Sequence, residues 1–153
     1  MPISDLPESL GRHLLKTAAD HSFSAITITR TAAAEEPGEI IYVNGAFEDL
    51  TGYQAEEVIG QTPGVLQGPK TEQEVISRLA RKIAAGEVFH GRATNYRKDG
   101  SEFTMEWKVI PVVEQPGVEE AFPTGGESQR EASAGEDVTY HIAVQREAPA
   151  DEE

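Results

Sequence analysis

Gly60-Gln61-Thr62-Pro63-Gly64-Val65-Leu66-Gln67-Gly68, taken with Asn95-Tyr96-Arg97-Lys98-Asp99-Gly100 further along, decides how the rest of this chain is read. Upstream of the first stretch, Ala55 to Ile59 suits a short helix closed by Gly60. Before it, Asn44 can cap a helical piece that carries Phe47 and Leu50 and stops at Gly52. Ala25 to Thr29 and Glu39 to Val43 are β-branched and read as strands, and the Pro37-Gly38 turn makes the two a hairpin across the loop from Thr31 to Gly38. Leu6, Leu10, Leu14 and Ala18 recur at helical spacing after a cap at Asp5, which predicts an amphipathic helix over 6–20.

Downstream, Thr71-Glu72-Gln73-Glu74 has the form of a capping box, in which a hydroxyl and a glutamate three residues later satisfy each other's exposed amides. The helix it opens should bury Val75, Ile76, Leu79 and Ile83 and end at Gly86. Val88 to Arg97 and Phe103 to Val113 read as strands joined by the Asp99-Gly100 turn. Residues 114–137 are rich in Glu, Gly, Pro and Ser and read as a long acidic loop, and Val138 to Gln145 is the last strand. Alternation puts Phe103, Met105, Trp107 and Val109 on one face and Thr104, Glu106 and Lys108 on the other. On the last strand it separates His141, Ala143 and Gln145 from Tyr140, Ile142 and Val144.

The order strand, strand, short helices, longer helix and three antiparallel strands resembles the PAS fold. Ile40-Ile41-Tyr42-Val43-Asn44-Gly45-Ala46-Phe47, Leu50-Thr51-Gly52-Tyr53 and Glu56-Glu57-Val58-Ile59-Gly60 look like its opening signature. The two stretches quoted first resemble the LOV subgroup, the flavin-based blue-light receptors. The resemblance runs from about residue 23 to 113 and resumes at 138–146. It implies an α+β fold: a five-stranded antiparallel sheet with short helices over one face and an N-terminal amphipathic helix. Residues 1–22 then form the N-terminal helix or cap, and 23–146 a single domain with 114–137 as an acidic insertion. A polar tail follows at 147–153.

The same resemblance implies a flavin pocket (FMN, riboflavin or FAD). A flavin ring presents alternating donors and acceptors along one edge, and side-chain amides carry both. Gln67, Asn95 and Gln145 match the amide positions, Leu66 matches an apolar wall, and Trp107 and Val109 fall where the family has other bulky pocket residues. A small Ala143 leaves room for a planar ring. The departures matter as much. The photoactive cysteine is Pro63, the asparagine usual before it is Thr62, and a second strand asparagine is Met105. The two arginines that hold a flavin phosphate align with Gly64 and Ala80, with Arg78 and Arg81 nearby. Losing them would weaken a phosphate's hold, since each charge-assisted contact contributes roughly 1.5–3 kcal/mol. Each amide also admits a plain role: Gln67 as a cap, Asn95 as a brace for the next turn, Gln145 as a solvent-facing strand end.

Composition narrows the remaining choices. The chain has 153 residues, 38% of them hydrophobic, enough for one domain with its own core. No apolar run approaches the roughly 20 residues that span a bilayer, and the start lacks a signal-peptide pattern, so a cytoplasmic location is expected. The 27 acidic against 13 basic side chains give a net charge of −14, which repels phosphate backbones and anionic lipid and argues against nucleic-acid or membrane partners. There is no cysteine, so neither disulfides nor thiol chemistry can operate. His13, His21, His90 and His141 show no metal-ligand spacing, and the long helix carries no histidine for haem. No nucleophile–base arrangement is visible, so no enzyme is expected.

These readings converge on a sensory module, LOV-like without adduct chemistry, in which Trp107 or Tyr96 would reduce a bound flavin and Gln145 would register the change. No kinase, cyclase or DNA-binding segment is seen after residue 146, so the expectation is either signalling to a protein partner in trans or a chain that is a fragment of a longer sensor. The alternative is a ligand-free PAS dimerisation or docking module. Tyr140, Ile142 and Val144, with Ile110 and Val112, make an apolar outer stripe that a homodimer contact or the N-terminal helix would cover.

Overall fold

The computed structural model describes residues 7–31, 38–112 and 139–149. The expected cap at Asp5, the Pro37 half of the hairpin turn, the acidic insertion and the end of the tail lie outside the described residues. In chain order the elements are α1 (Glu8–Asp20), β1 (Ala25–Thr31), β2 (Glu39–Val43), α2 (Gly45–Thr51), α3 (Ala55–Val58), a 3-10 turn at Pro63–Leu66, α4 (Gln73–Ala84), β3 (Phe89–Tyr96), β4 (Glu102–Val112) and β5 (Thr139–Glu147). The strands form one antiparallel sheet in the order β2-β1-β5-β4-β3, so the last strand fills the centre between the two hairpins.

The inner face is written by alternation. Thr27, Thr29 and Thr31 on β1, His141, Ala143 and Gln145 on β5, Met105, Trp107 and Val109 on β4 and Asn95 on β3 all look toward the helices. Helix α4 lies against β3, and α2 against β1. Phe47, Phe89, Ile40 and Val58 are fully enclosed and form the centre of the apolar core. Leu79, Val75, Ile76 and Ile83 of α4 pack on that core but stay half-buried, short of the full burial expected of them.

Asn44 ties three elements together. Its Oδ1 accepts from the backbone N–H of Phe47 at 3.1 Å, the expected helix cap, and from that of Ile26 at 2.9 Å. Its Nδ2 donates to the carbonyls of Ala19 at 2.7 Å and Ser24 at 3.0 Å. Gly52 then ends α2 with a φ of 81°, a left-handed conformation that glycine adopts without a Cβ penalty. The Asn95–Gly100 stretch clasps the same helix end: Arg97 Nε donates to the Leu50 carbonyl and Lys98 N–H to that of Thr51.

Two expectations are corrected. Helix α4 starts one residue later than the Thr71 cap requires, at Gln73. The Thr71 hydroxyl instead accepts from Gly68 N–H and donates to the Thr94 carbonyl, while the Glu72 carboxylate takes the Thr94 N–H and hydroxyl. Both side chains fasten the loop to β3 and are no longer free to cap. Helix α1 spans Glu8–Asp20, the expected start at Leu6 lying outside the described residues, and it buries no residue: Leu10 and Leu14 of its apolar stripe remain 45% exposed. It is held at its C-terminal end, by Asn44 and by Tyr42 donating to Asp20 at 2.6 Å. No helix among the described residues is long and apolar enough to cross a membrane.

Candidate functional site

Between the inner sheet face and α4 lies a cavity of about 430 Å³, within the range of small-molecule sites. The residues matched from the sequence to the pocket all border it: Thr62, Leu66, Gln67, Asn95, Met105, Trp107, Val109, Ala143 and Gln145, together with Pro63. The 3-10 turn explains part of this. Proline at its first position fixes φ for a tight turn, and the turn swings Leu66 into the core while Thr62 and Pro63 form the cavity rim.

The amides at one end are only partly occupied. Gln145 Oε1 accepts from Thr27 Oγ1 at 2.7 Å, and its Nε2 meets only the Met105 sulfur at 3.6 Å, a weak acceptor. Asn95 uses Nδ2 on the Ala93 carbonyl at 3.2 Å, and its Oδ1 has no hydrogen bond among the described residues. One buried amide therefore offers a donor and the other an acceptor. Gln67 borders the cavity from its exposed rim. That set fits a flat heterocycle whose edge alternates carbonyl and N–H, as a flavin's does.

Trp107 is buried, lines the cavity and packs on Phe89 with ring centroids 5.1 Å apart. Tyr96 does not join it. Being next to Asn95 on a strand, it points to the opposite face, packs over Gly68 and accepts from Lys70 N–H. Gly64 and Ala80 border the cavity, and no lysine, arginine, aspartate or glutamate does among the described residues. Arg78 is occupied elsewhere: it donates to the His90 carbonyl and lies over the Phe89 ring.

Sequence reading missed the polar opposite end. Thr29 and Thr31 line the cavity with His141, which is 5% exposed. Burial holds the His141 imidazole below the ordinary histidine value, so it is neutral at pH 7. The shared face with Gln145 was the available signal. No group of side chains able to hold a metal ion occurs among the described residues.

The comparisons agree with this geometry. A family model described as "PAS domain" matches residues 31–122. The chain belongs to the PAS domain family. This PAS domain is 38% identical over 117 residues to the bacterioopsin transcriptional activator of Halobacterium salinarum, a match covering 76% of the chain and 17% of that protein. The chain thus spans about a sixth of that curated relative. Among solved structures, one titled an RNA-binding light-oxygen-voltage receptor superposes with a TM-score of 0.72 at 28% identity, covering 96% of this chain and 36% of that one. The LOV domain of a blue-light activated histidine kinase from Erythrobacter litoralis gives a TM-score of 0.62 at 28% identity, covering 83% of this chain and 97% of that one. The fold and the LOV-like character read from the sequence are those found.

Proposed function

We propose that this LOV-like PAS sensory module binds a flavin, responds to light or redox state without a thiol adduct, and signals to a protein partner in trans, with no catalysis of its own. The observation that carries the reading is the half-occupied pair of amides, Asn95 and Gln145, buried at one end of a cavity with the volume and largely apolar lining such a ring needs. A bound flavin would supply absorption of blue light and one-electron redox chemistry. Pro63, at the position of the thiol, closes the rim and can form no covalent bond to it. Trp107 supplies an oxidisable ring in the wall and is the residue suited to give an electron.

Gln145 couples the cavity to the sheet. Turning its amide over would present Nε2 to Thr27 and oblige that hydroxyl to reverse from donor to acceptor. Because Thr27 and Gln145 belong to paired strands, a ligand whose hydrogen-bonding demand changes alters the β1–β5 contact. Net charge of −14 favours a protein over nucleic acid as the receiver.

An absorbance spectrum of the purified protein, before and after incubation with flavin, tests the proposal. The expected result is a blue-region band that bleaches on illumination with reductant and shows no adduct. Protein that stays colourless, and remains so after reconstitution, sinks the flavin reading. A ligand-free interaction module is the second reading, favoured by the half-exposed outer residues Ile26, Ile110, Val112, Ile142 and Val144 and by the uncovered leucines of α1, although Tyr140 of the expected stripe is buried and offers no surface. Light scattering of the intact protein against one lacking α1 would show whether these surfaces hold a dimer.

A further inference from the structure

On the inner face of β5, Gln145, Ala143 and His141 stand in a line at intervals of roughly 7 Å, the repeat of alternate strand residues. A flat ring read at its edge by Gln145 would lie over the small Ala143 and reach toward His141. Thr29 is directly opposite His141 on β1, and Pro111 on β4. Among the described residues neither the His141 imidazole nor the Thr29 hydroxyl has a hydrogen-bond partner, although His141 is 5% and Thr29 9% exposed. A neutral imidazole carries one donor and one acceptor nitrogen, and here both are open to the cavity, since among the described residues Arg30 Nε is the one sealed-in side-chain polar atom without a partner. Such a side chain, aimed into a cavity, marks where a ligand's polar group belongs.

We propose that His141, with Thr29 beside it, is a second polar anchor of the cavity. The ligand it selects is an uncharged fused ring with a hydroxyl or amino substituent at the end away from the amide-reading edge. This rests on the flavin reading above and sharpens it. Riboflavin presents methyl groups at that end, which leave His141 unpaired. FMN adds a phosphate for which the described lining residues provide no cation. Burial also keeps His141 neutral, which removes the one lining group that could have become cationic.

The test titrates the full chain, freed of ligand, with three probes: riboflavin, FMN, and riboflavin in which a benzenoid methyl is replaced by an amino group. Flavin fluorescence reports each affinity in the native protein, in His141→Leu and in Thr29→Val. The amino analogue should bind about fivefold or more tighter than riboflavin, the worth of one added hydrogen bond, and FMN more weakly than riboflavin. His141→Leu should erase the analogue's advantage over riboflavin, read as the ratio of the two affinities in the same variant. Thr29→Val, which keeps shape, should reduce that advantage even if the histidine variant does not fold. Equal binding of analogue and riboflavin by the native protein overturns the second anchor alone, as does an advantage that survives both substitutions. Failure of all three probes to bind overturns the flavin reading with it.

Discussion

Replacing Asn44 by alanine should be among the most damaging polar substitutions in the described structure. Its side chain makes four hydrogen bonds, two accepting and two donating, to backbone groups of β1, α2 and the end of α1. Loss of a helix cap alone costs about 1 kcal/mol. The other three bonds contribute about 0.5–1.5 kcal/mol each, so Asn44→Ala should lose about 3–5 kcal/mol, a large share of a small domain's margin. Asn44→Asp separates the two halves of the network. It keeps both acceptor contacts, including the cap, and turns the two donor contacts into carbonyl–carboxylate repulsions. Urea unfolding followed by far-ultraviolet circular dichroism measures both variants. Asn44→Ala should lower the midpoint with an unchanged slope, and should also release α1, detectable as faster amide exchange over 8–20. A loss below about 1 kcal/mol, or α1 amides as protected as before, would show that the node is decorative.

Further outcomes follow from the same contacts. Gly68→Ala places a methyl group into the Tyr96 ring, whose hydroxyl is pinned by Lys70 N–H, and should cost about 1–3 kcal/mol; adding Tyr96→Ser should recover part of it, read as a non-additive thermal shift. Trp107→Phe should slow photoreduction of bound flavin severalfold while the visible spectrum is retained; an unchanged rate removes Trp107 as the donor. Stability should fall with acid in two stages. His141 is held low by burial, so its unfolded form gains a proton first and stability declines as pH drops below about 6.5; His141→Gln should flatten that step. Glu106 is held low chiefly by the Arg146 hydrogen bond and then by His90, and Glu72 chiefly by the Thr94 N–H. Their stabilisation is full above about 4.3 and is lost as pH falls through the lowered values, so unfolding midpoints that stay constant from pH 5 to about pH 3 would contradict this pairing.

What the sequence made legible was mostly parity and punctuation. Alternation correctly put Met105, Trp107 and Val109 on the inner face with Gln145 and Ala143. The same rule, applied to Asn95, already excludes its neighbour Tyr96 from the cavity. Asn44 was readable as a cap because the Phe47 amide is local, but its bonds to Ala19 and Ser24 join residues 25 and 20 positions away. Thr71 and Glu72 show the opposite failure. Their local pattern is that of a cap, yet Thr94 on β3 claims both side chains, and a partner 23 positions away does not show in a four-residue motif. The α1 stripe was visible, whereas its lack of a packing partner is a tertiary fact. His141 was weighed only as a metal ligand, and its place in line with Gln145 acquires meaning once the strand pairing is known.

The Thr62-Pro63-Gly64 stretch carries a mechanical consequence. Pro63 removes the covalent bond, and with Gly64 and Ala80 at the positions of the arginines no lysine, arginine, aspartate or glutamate lines the cavity among the described residues. A ligand sensed as proposed would then report on its state chiefly through neutral hydrogen bonds, foremost those of Gln145 and Asn95. One such bond gained or lost is worth about 1 kcal/mol, a roughly fivefold shift between two conformations. An adduct-forming relative has a bond's worth of energy to drive its sheet; this chain does not. A switch of this size gives a useful output only if its two states start close to balance, or if a partner on the outer face adds its own preference. The exposure of Val144, one residue from Gln145 and on the opposite face of β5, puts that second contribution within reach of the first.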